Sequence, residues 1–165
     1  MSISQSVGSD QQLARVLQVG VVLEELVEAR AYEHYRALAL EAGEGVEEDV
    51  EELLLEAREE SGEHRSRLEA LVTELNAESL PHGEIESLVR EKYGRSAPDS
   101  IDAVLHDQRA SEETAYNYYD SVIAAIEASD ADFSIDRDRL VSTLREIRAE
   151  EAEGAEEVGE LIERR

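Results

Sequence analysis

The chain has 165 residues, enough for one domain with a sizeable core, and no cysteine, which excludes disulfides, thiolate nucleophiles, iron–sulfur clusters and cysteine-bound zinc. It sets 41 acidic residues against 16 basic ones, a formal net charge of −25, and Lys92 is its single lysine. No basic stripe is present to neutralise phosphates, so nucleic acid is not expected as a partner, nor is an anionic membrane surface.

The N-terminal MSISQSVGSDQQ lacks a basic n-region and an apolar h-region, and no apolar run approaches the roughly 20 residues of a membrane span, which predicts a cytoplasmic protein. The acidic residues fall mostly at non-core helical positions, a pattern expected of a halophilic protein whose surface charge is tamed by dense counterions. From residue 9 onward the hydrophobic period is helical, and the chain is expected to be all-α. The first long helix is placed near 9–42 and ends at Gly43 to Gly45; the second, near 46–77, ends at Leu80-Pro81-His82-Gly83. A short helix near 83–92 leads to a turn at Gly94 to Ser100, a third long helix near 98–128, a turn at Ser129 to Ser134 and a fourth near 134–163. Short turns make antiparallel hairpins of helices one and two and of helices three and four. The roughly 20 residues between the hairpins suffice to run back along a helix of about 45 Å, so a single-domain four-helix bundle with one long crossover is expected.

Written out by steps of three and four, the core-facing stripe of each long helix turns polar at its midpoint. The first reads Leu17, Val21, Glu24, Glu28, Ala31, Tyr35, Leu38, and the second Val50, Leu54, Ala57, Ser61, His64, Leu68, Leu71, Leu75. The third reads Ile101, Leu105, Gln108, Glu112, Ala115, Tyr119, Val122, Ile126, and the fourth Leu140, Leu144, Ile147, Glu151, Gly154, Val158, Leu161. Four interruptions at one height gather Glu28, His64, Glu112 and Glu151, and buried carboxylates require compensation. A cation of the Fe, Mn or Zn type suits carboxylates with an imidazole. Alternatively an arginine network compensates them: Arg109 and Arg148 lie three residues before Glu112 and Glu151, and Arg58 and Arg65 flank the Ser61 and His64 pair of the second helix.

The stretch EARAYEHY at 28–35 returns as EETAYNYY at 112–119, so Glu28, Tyr32 and Tyr35 match Glu112, Tyr116 and Tyr119, as in a pseudo-twofold pair of hairpins. These residues together resemble the ferritin-like superfamily, its rubrerythrin-type branch above all, over about residues 9–163. The resemblance implies that Glu28 and Glu112 are single-Glu ligands, His64 the nitrogen ligand and Glu151 a bridging carboxylate, with Tyr35 and Tyr119 behind them. It also implies iron handling or peroxide and O₂ chemistry, although Ser61 stands where a ligand Glu belongs and Gly154 where a His belongs. Glu60, Glu63, Glu24 and His34 are the stand-ins, and a glycine in mid-helix at 154 points to water, a ligand or a neighbouring backbone in its space, or equally to a plain small-residue packing contact. A bundle that has lost its metal and serves a structural or interaction role is the alternative.

His82 and His106 are expected at the surface, without a nucleophile beside them, and no glycine-rich phosphate loop occurs. A second apolar stripe on the first helix, Val16, Val19, Leu23 and Leu26, exceeds what one bundle face needs and points to a homodimer.

Overall fold

The computed structural model describes residues 7–42, 47–93 and 97–165, and within them the chain forms five helices and no strand. The turn expected at Gly43 to Gly45, and residues 94–96 of the turn expected at Gly94 to Ser100, lie outside the described residues. The helices are α1 (Asp10–Ala42), α2 (Glu48–Glu74), α3 (His82–Tyr93), α4 (Ile101–Glu127) and α5 (Arg137–Arg164).

Three of the helix starts are set by short polar side chains that satisfy otherwise orphaned backbone N–H groups. Ser9 Oγ accepts from Gln12 N at 3.2 Å, Ser100 Oγ from Ala103 N at 3.1 Å, and Asp136 from Asp138 N at 2.9 Å and Arg139 N at 3.3 Å. The end of α4 is tied off by Arg137, whose guanidinium donates to Ile126 O and Ala131 O, each at 2.6 Å. Each expected boundary falls within three residues of the observed one.

Packing follows the apolar stripes, but the core is divided in two. One half joins Leu13, Leu17, Leu68, Leu71, Tyr119, Ile126, Leu140 and Leu144; the other joins Tyr35, Val50, Leu54, Leu105, Val158 and Leu161. A fully buried Leu contributes about 1.5–3 kcal/mol, so each half is held by several such side chains. Because the N-terminal halves of α1 and α5 share the first cluster with the C-terminal halves of α2 and α4, α1 and α5 run one way and α2 and α4 the other. Each long helix touches two others: α1 packs on α2 and α4, and α5 on α4 and α2. Gly20 permits a close approach, since a Cβ there would lie 3.2 Å from Leu68 Cδ1 and 3.6 Å from the Tyr119 ring.

The connection from α2 to α4 must travel the whole bundle, and it does so over the outer face of α1. Gln11 and Gln18 each grip it with both ends of the amide: Gln11 bonds Glu78 O at 2.9 Å and Glu78 N at 3.2 Å, and Gln18 bonds Leu80 O and Leu80 N, both at 3.2 Å. Helix α3 then buries Ile85 and Val89 against Val22, with Val19, Leu26 and Tyr93 around them. Thus the crossover covers Val19 and Leu26 of the second apolar stripe, while Leu23 lies in the main core and Val16 borders it. Covering that stripe does not require self-association. Among the described residues no helix is long and apolar enough to cross a membrane.

Candidate metal centre

Between the two halves of the core lies a layer of buried polar groups: Glu24 from α1, Ser61 and His64 from α2, Gln108 and Glu112 from α4, and Glu151 from α5. Burying so many polar groups at one height is costly unless each finds a partner. His64, 1% exposed, sits at the middle of the layer. Its Nδ1 is 3.0 Å from Glu151 Oε1 and 3.4 Å from Glu24 Oε1, and its Nε2 is 2.8 Å from Glu150 Oε2. Glu150 is in turn gripped by both guanidinium nitrogens of Arg67 at 3.3 Å. One imidazole therefore connects two sealed carboxylates to a half-exposed one.

Glu24 is completely buried, and Tyr119 donates its phenolic proton to Glu24 Oε1 at 2.5 Å. Glu24 Oε2 has no hydrogen-bond partner, a rare condition for a buried carboxylate oxygen. Glu24, His64 and Glu151 each offer one ligand atom, and the three lie within 4.8 Å of one another.

Burial, followed by the charge of Glu24 and contact with Glu112, pushes the Glu151 carboxyl far above the ordinary range, which favours its neutral form. Glu112 also accepts from Gln108 Nε2 at 2.8 Å, and burial raises it too. For His64, burial acts downward, but the hydrogen bonds of Glu24 and Glu150 and the charge of Glu60 outweigh it and the imidazole is raised. Burial lifts Glu60 to about 7 despite the nearby imidazole. Tyr119 is raised well above its ordinary value by the same desolvation, then by Glu24, and stays a neutral donor.

The residues expected to converge do so unevenly. His64 and Glu151 meet directly, Glu112 touches Glu151, and Glu28 stands apart: it is 23% exposed and paired with Arg65 at 2.9 Å, its carboxylate resting against Gly62. Glu24, the stand-in that precedes Glu28 on the same stripe, takes the inner position. The space above Gly154 is filled by the Glu112 carboxylate, 2.9 Å from where a Cβ would sit. His34 lines a separate groove between α1 and α3 with Glu25, Glu86 and Arg90. His82 is a surface residue held by Glu25 at 2.7 Å and Glu86 at 3.4 Å, and His106 is exposed. Tyr35 donates to Glu47 O at 3.3 Å, so the doubled motif does not act symmetrically. Four residues before the two motif acids stand Glu24 and Gln108, an acid in one copy and an amide in the other.

Three of the four arginines that might have neutralised the cluster are engaged elsewhere. Arg148 pairs with Asp120 at 2.7 Å, Arg109 pairs with Glu113 at 3.3 Å and lies over Gly159, and Arg58 lies over the Tyr32 ring at 5.5 Å. Glu150 and Arg67 were not anticipated, because neither lies on a core stripe; the adjacency of Glu150 to Glu151 was the one available signal.

Metal–ligand bonds of about 2.1 Å put neighbouring ligand atoms about 3.0 Å apart around an octahedral ion and about 3.4 Å apart around a tetrahedral one. The two Nδ1–carboxylate distances of 3.0 and 3.4 Å match those edges, and the same distances serve a shared proton. Comparison of the chain with protein-family models, with curated proteins and with solved structures found no match.

Proposed function

We propose that the chain is a ferritin-like metal-binding bundle that takes one divalent ion of the Fe, Mn or Zn type at Glu24, His64 and Glu151. The observation that carries this reading is that buried Glu24, His64 and Glu151, from three helices, each offer one ligand atom within 4.8 Å of the others, while Glu24 Oε2 has no hydrogen-bond partner. Two carboxylates and an imidazole form a donor set that suits these ions. Support also comes from the far side of the ring, where the Nε2 contact to Glu150, itself fixed by Arg67, is the outer carboxylate that metal-binding histidines commonly keep. The order of helix directions and the long crossover agree with ferritin-like connectivity.

A bound iron or manganese ion would supply one-electron chemistry toward peroxide or O₂, which zinc would not. The chain's own part is to hold Glu24 through Tyr119, to hold the His64 ring through Glu150, and to exclude water with the two apolar halves of the core. Glu112, parked in the Gly154 notch, and Glu28, paired with Arg65, lie outside the three-residue set. A cytoplasmic location and a homodimer belong to the same proposal, the dimer using a surface other than the one that α3 covers.

Protein purified in high salt without chelator should carry close to one Fe, Mn or Zn per chain by elemental analysis, and Glu24→Gln and Glu151→Gln should each abolish it. Wild-type protein that stays metal-free after dialysis against each ion refutes the proposal. The second reading, a metal-free structural bundle, is favoured by one observation: both His64 nitrogens already face carboxylates, Nδ1 that of Glu151 and Nε2 that of Glu150.

A further inference from the structure

We propose that cations reach this centre through the seam between α2 and α5, captured first by Glu60 and Glu150 and passed inward past the His64 ring, with Arg67 acting as a competing cation at the mouth. The inference rests on the metal-binding reading above and concerns its route.

Geometry singles out this seam. Among the four neighbouring pairs of long helices, α2 and α5 make the sparsest contact. Two of the other three are plugged at the height of the centre, and the third lacks carboxylates set on the His64 ring. Between α1 and α2, Arg65 and Glu28 close on each other at 2.9 Å over Gly62. Between α4 and α5, the Glu112 carboxylate fills the notch of Gly154 and the Arg109 guanidinium lies 3.2 Å from the Cβ position of Gly159. Between α1 and α4 a groove opens beside Leu23, Val27, Ala110 and Ser111, but the carboxylates paired with the His64 ring do not line it, and the phenol of Tyr119 is hydrogen-bonded onto Glu24 between the same two helices.

At the α2–α5 seam the plug is made of ligands. Glu60 is 38% exposed and Glu150 34%, yet both approach the same atom, His64 Nε2, at 4.0 and 2.8 Å. The opposite nitrogen of that ring faces Glu24 Oε1 and Glu151 Oε1, so the imidazole bridges the half-exposed carboxylates and the buried pair. Carboxylates at a mouth with low-dielectric walls raise the local concentration of cations and speed their capture. Arg67 holds Glu150 by two hydrogen bonds at 3.3 Å, and a cation arriving at Glu150 must displace it.

The consequence is kinetic. Glu60 lies outside the three-residue set, so removing its charge slows entry and exit together. For a divalent ion passing at a distance of a few ångströms, one lost charge lowers the association rate about three- to tenfold, according to the ionic strength. Stopped-flow binding of Co²⁺, followed by its visible absorption, tests this in wild type, Glu60→Gln, Arg67→Gln and Glu113→Gln; the last removes an equal charge from the outer surface of α4.

The expected result is an association rate three- to tenfold lower for Glu60→Gln, with dissociation slowed alike and Kd within about twofold of wild type. Arg67→Gln should bind faster than wild type and Glu113→Gln at the wild-type rate. Equal slowing by Glu60→Gln and Glu113→Gln, or no slowing by Glu60→Gln, overturns the route while leaving the centre standing. Wild-type protein that binds no Co²⁺, Mn²⁺ or Fe²⁺ at equilibrium removes the centre and the route together.

Discussion

Placing a methyl group at residue 154 tests the polar layer most directly, because it changes nothing ionisable. A Cβ there would lie 2.9 Å from the Glu112 carboxyl carbon and from Oε2, and 3.0 Å from Oε1, against the 3.5–4.0 Å of an ordinary carbon contact. The carboxylate must swing away, losing its bonds with Gln108 and Glu151. Hydrogen bonds of this charged kind contribute about 1.5–3 kcal/mol each. Alanine also improves helix propensity by about 1 kcal/mol over glycine. The net effect of Gly154→Ala is a destabilisation of about 2–5 kcal/mol, and at this chain length each kcal/mol moves Tm by about 2–4 °C. The decisive comparison is the double-mutant cycle with Glu112→Ala. Once the carboxylate is gone the notch is empty, and Gly154→Ala should become stabilising by about 1 kcal/mol. Circular-dichroism melts of the four proteins measure both numbers. Additive effects, or a stabilising Gly154→Ala in the wild-type background, would refute the claim that Glu112 fills the notch.

Two further outcomes follow from the same layer. Tyr119→Phe deletes the donor to Glu24 Oε1 and leaves a buried carboxyl group with neither oxygen bonded to it by a phenol, so urea unfolding should show a loss of about 1–3 kcal/mol; a neutral effect would place Glu24 outside the layer. In the presence of chelator, stability should fall as pH rises. Glu60, pushed from 4.5 to about 7, binds more protons folded than unfolded, so its contribution is lost across that interval, and the raised Glu112 and Glu151 act in the same direction. The raised His64 contributes stability below 6.5 that is lost as pH climbs through its higher folded value. Because acid also relieves repulsion between surface carboxylates, Glu151→Gln is the control: it should flatten the slope of Tm against pH, and an unchanged slope counts against the buried proton.

The bundle was legible because its signals are local. Ser9, Ser100 and Asp136 mark helix starts by cap chemistry, and the stripes through Leu68, Leu105 and Leu144 fix which face is buried without knowledge of the partner. The existence of a polar layer was legible for the same reason. Its membership was less so, since Glu24 and Glu28 lie one turn apart on the same stripe and only the stagger between helices decides which points inward. That stagger depends on contacts such as Gly20 against Leu68 and Tyr119, which no periodicity encodes. The repeated Tyr pattern favoured Glu28 by analogy with Glu112, yet Arg65 draws Glu28 toward the surface. Glu150 and Arg67 escaped notice because a side chain at a seam belongs to no stripe, and its role is set by the helix across from it.

The two glutamine clamps bear on how the molecule tolerates its surroundings. In a chain with this surplus of acid, most fastenings on the outside are pairs of opposite charge, such as Arg145 with Glu127 or Arg165 with Asp102, and dissolved ions weaken them. An amide that both gives and takes a proton from backbone has no charge to screen. The strap over the first helix is thus sewn down with stitches indifferent to brine, and should stay seated across a range of salinity that loosens its neighbours.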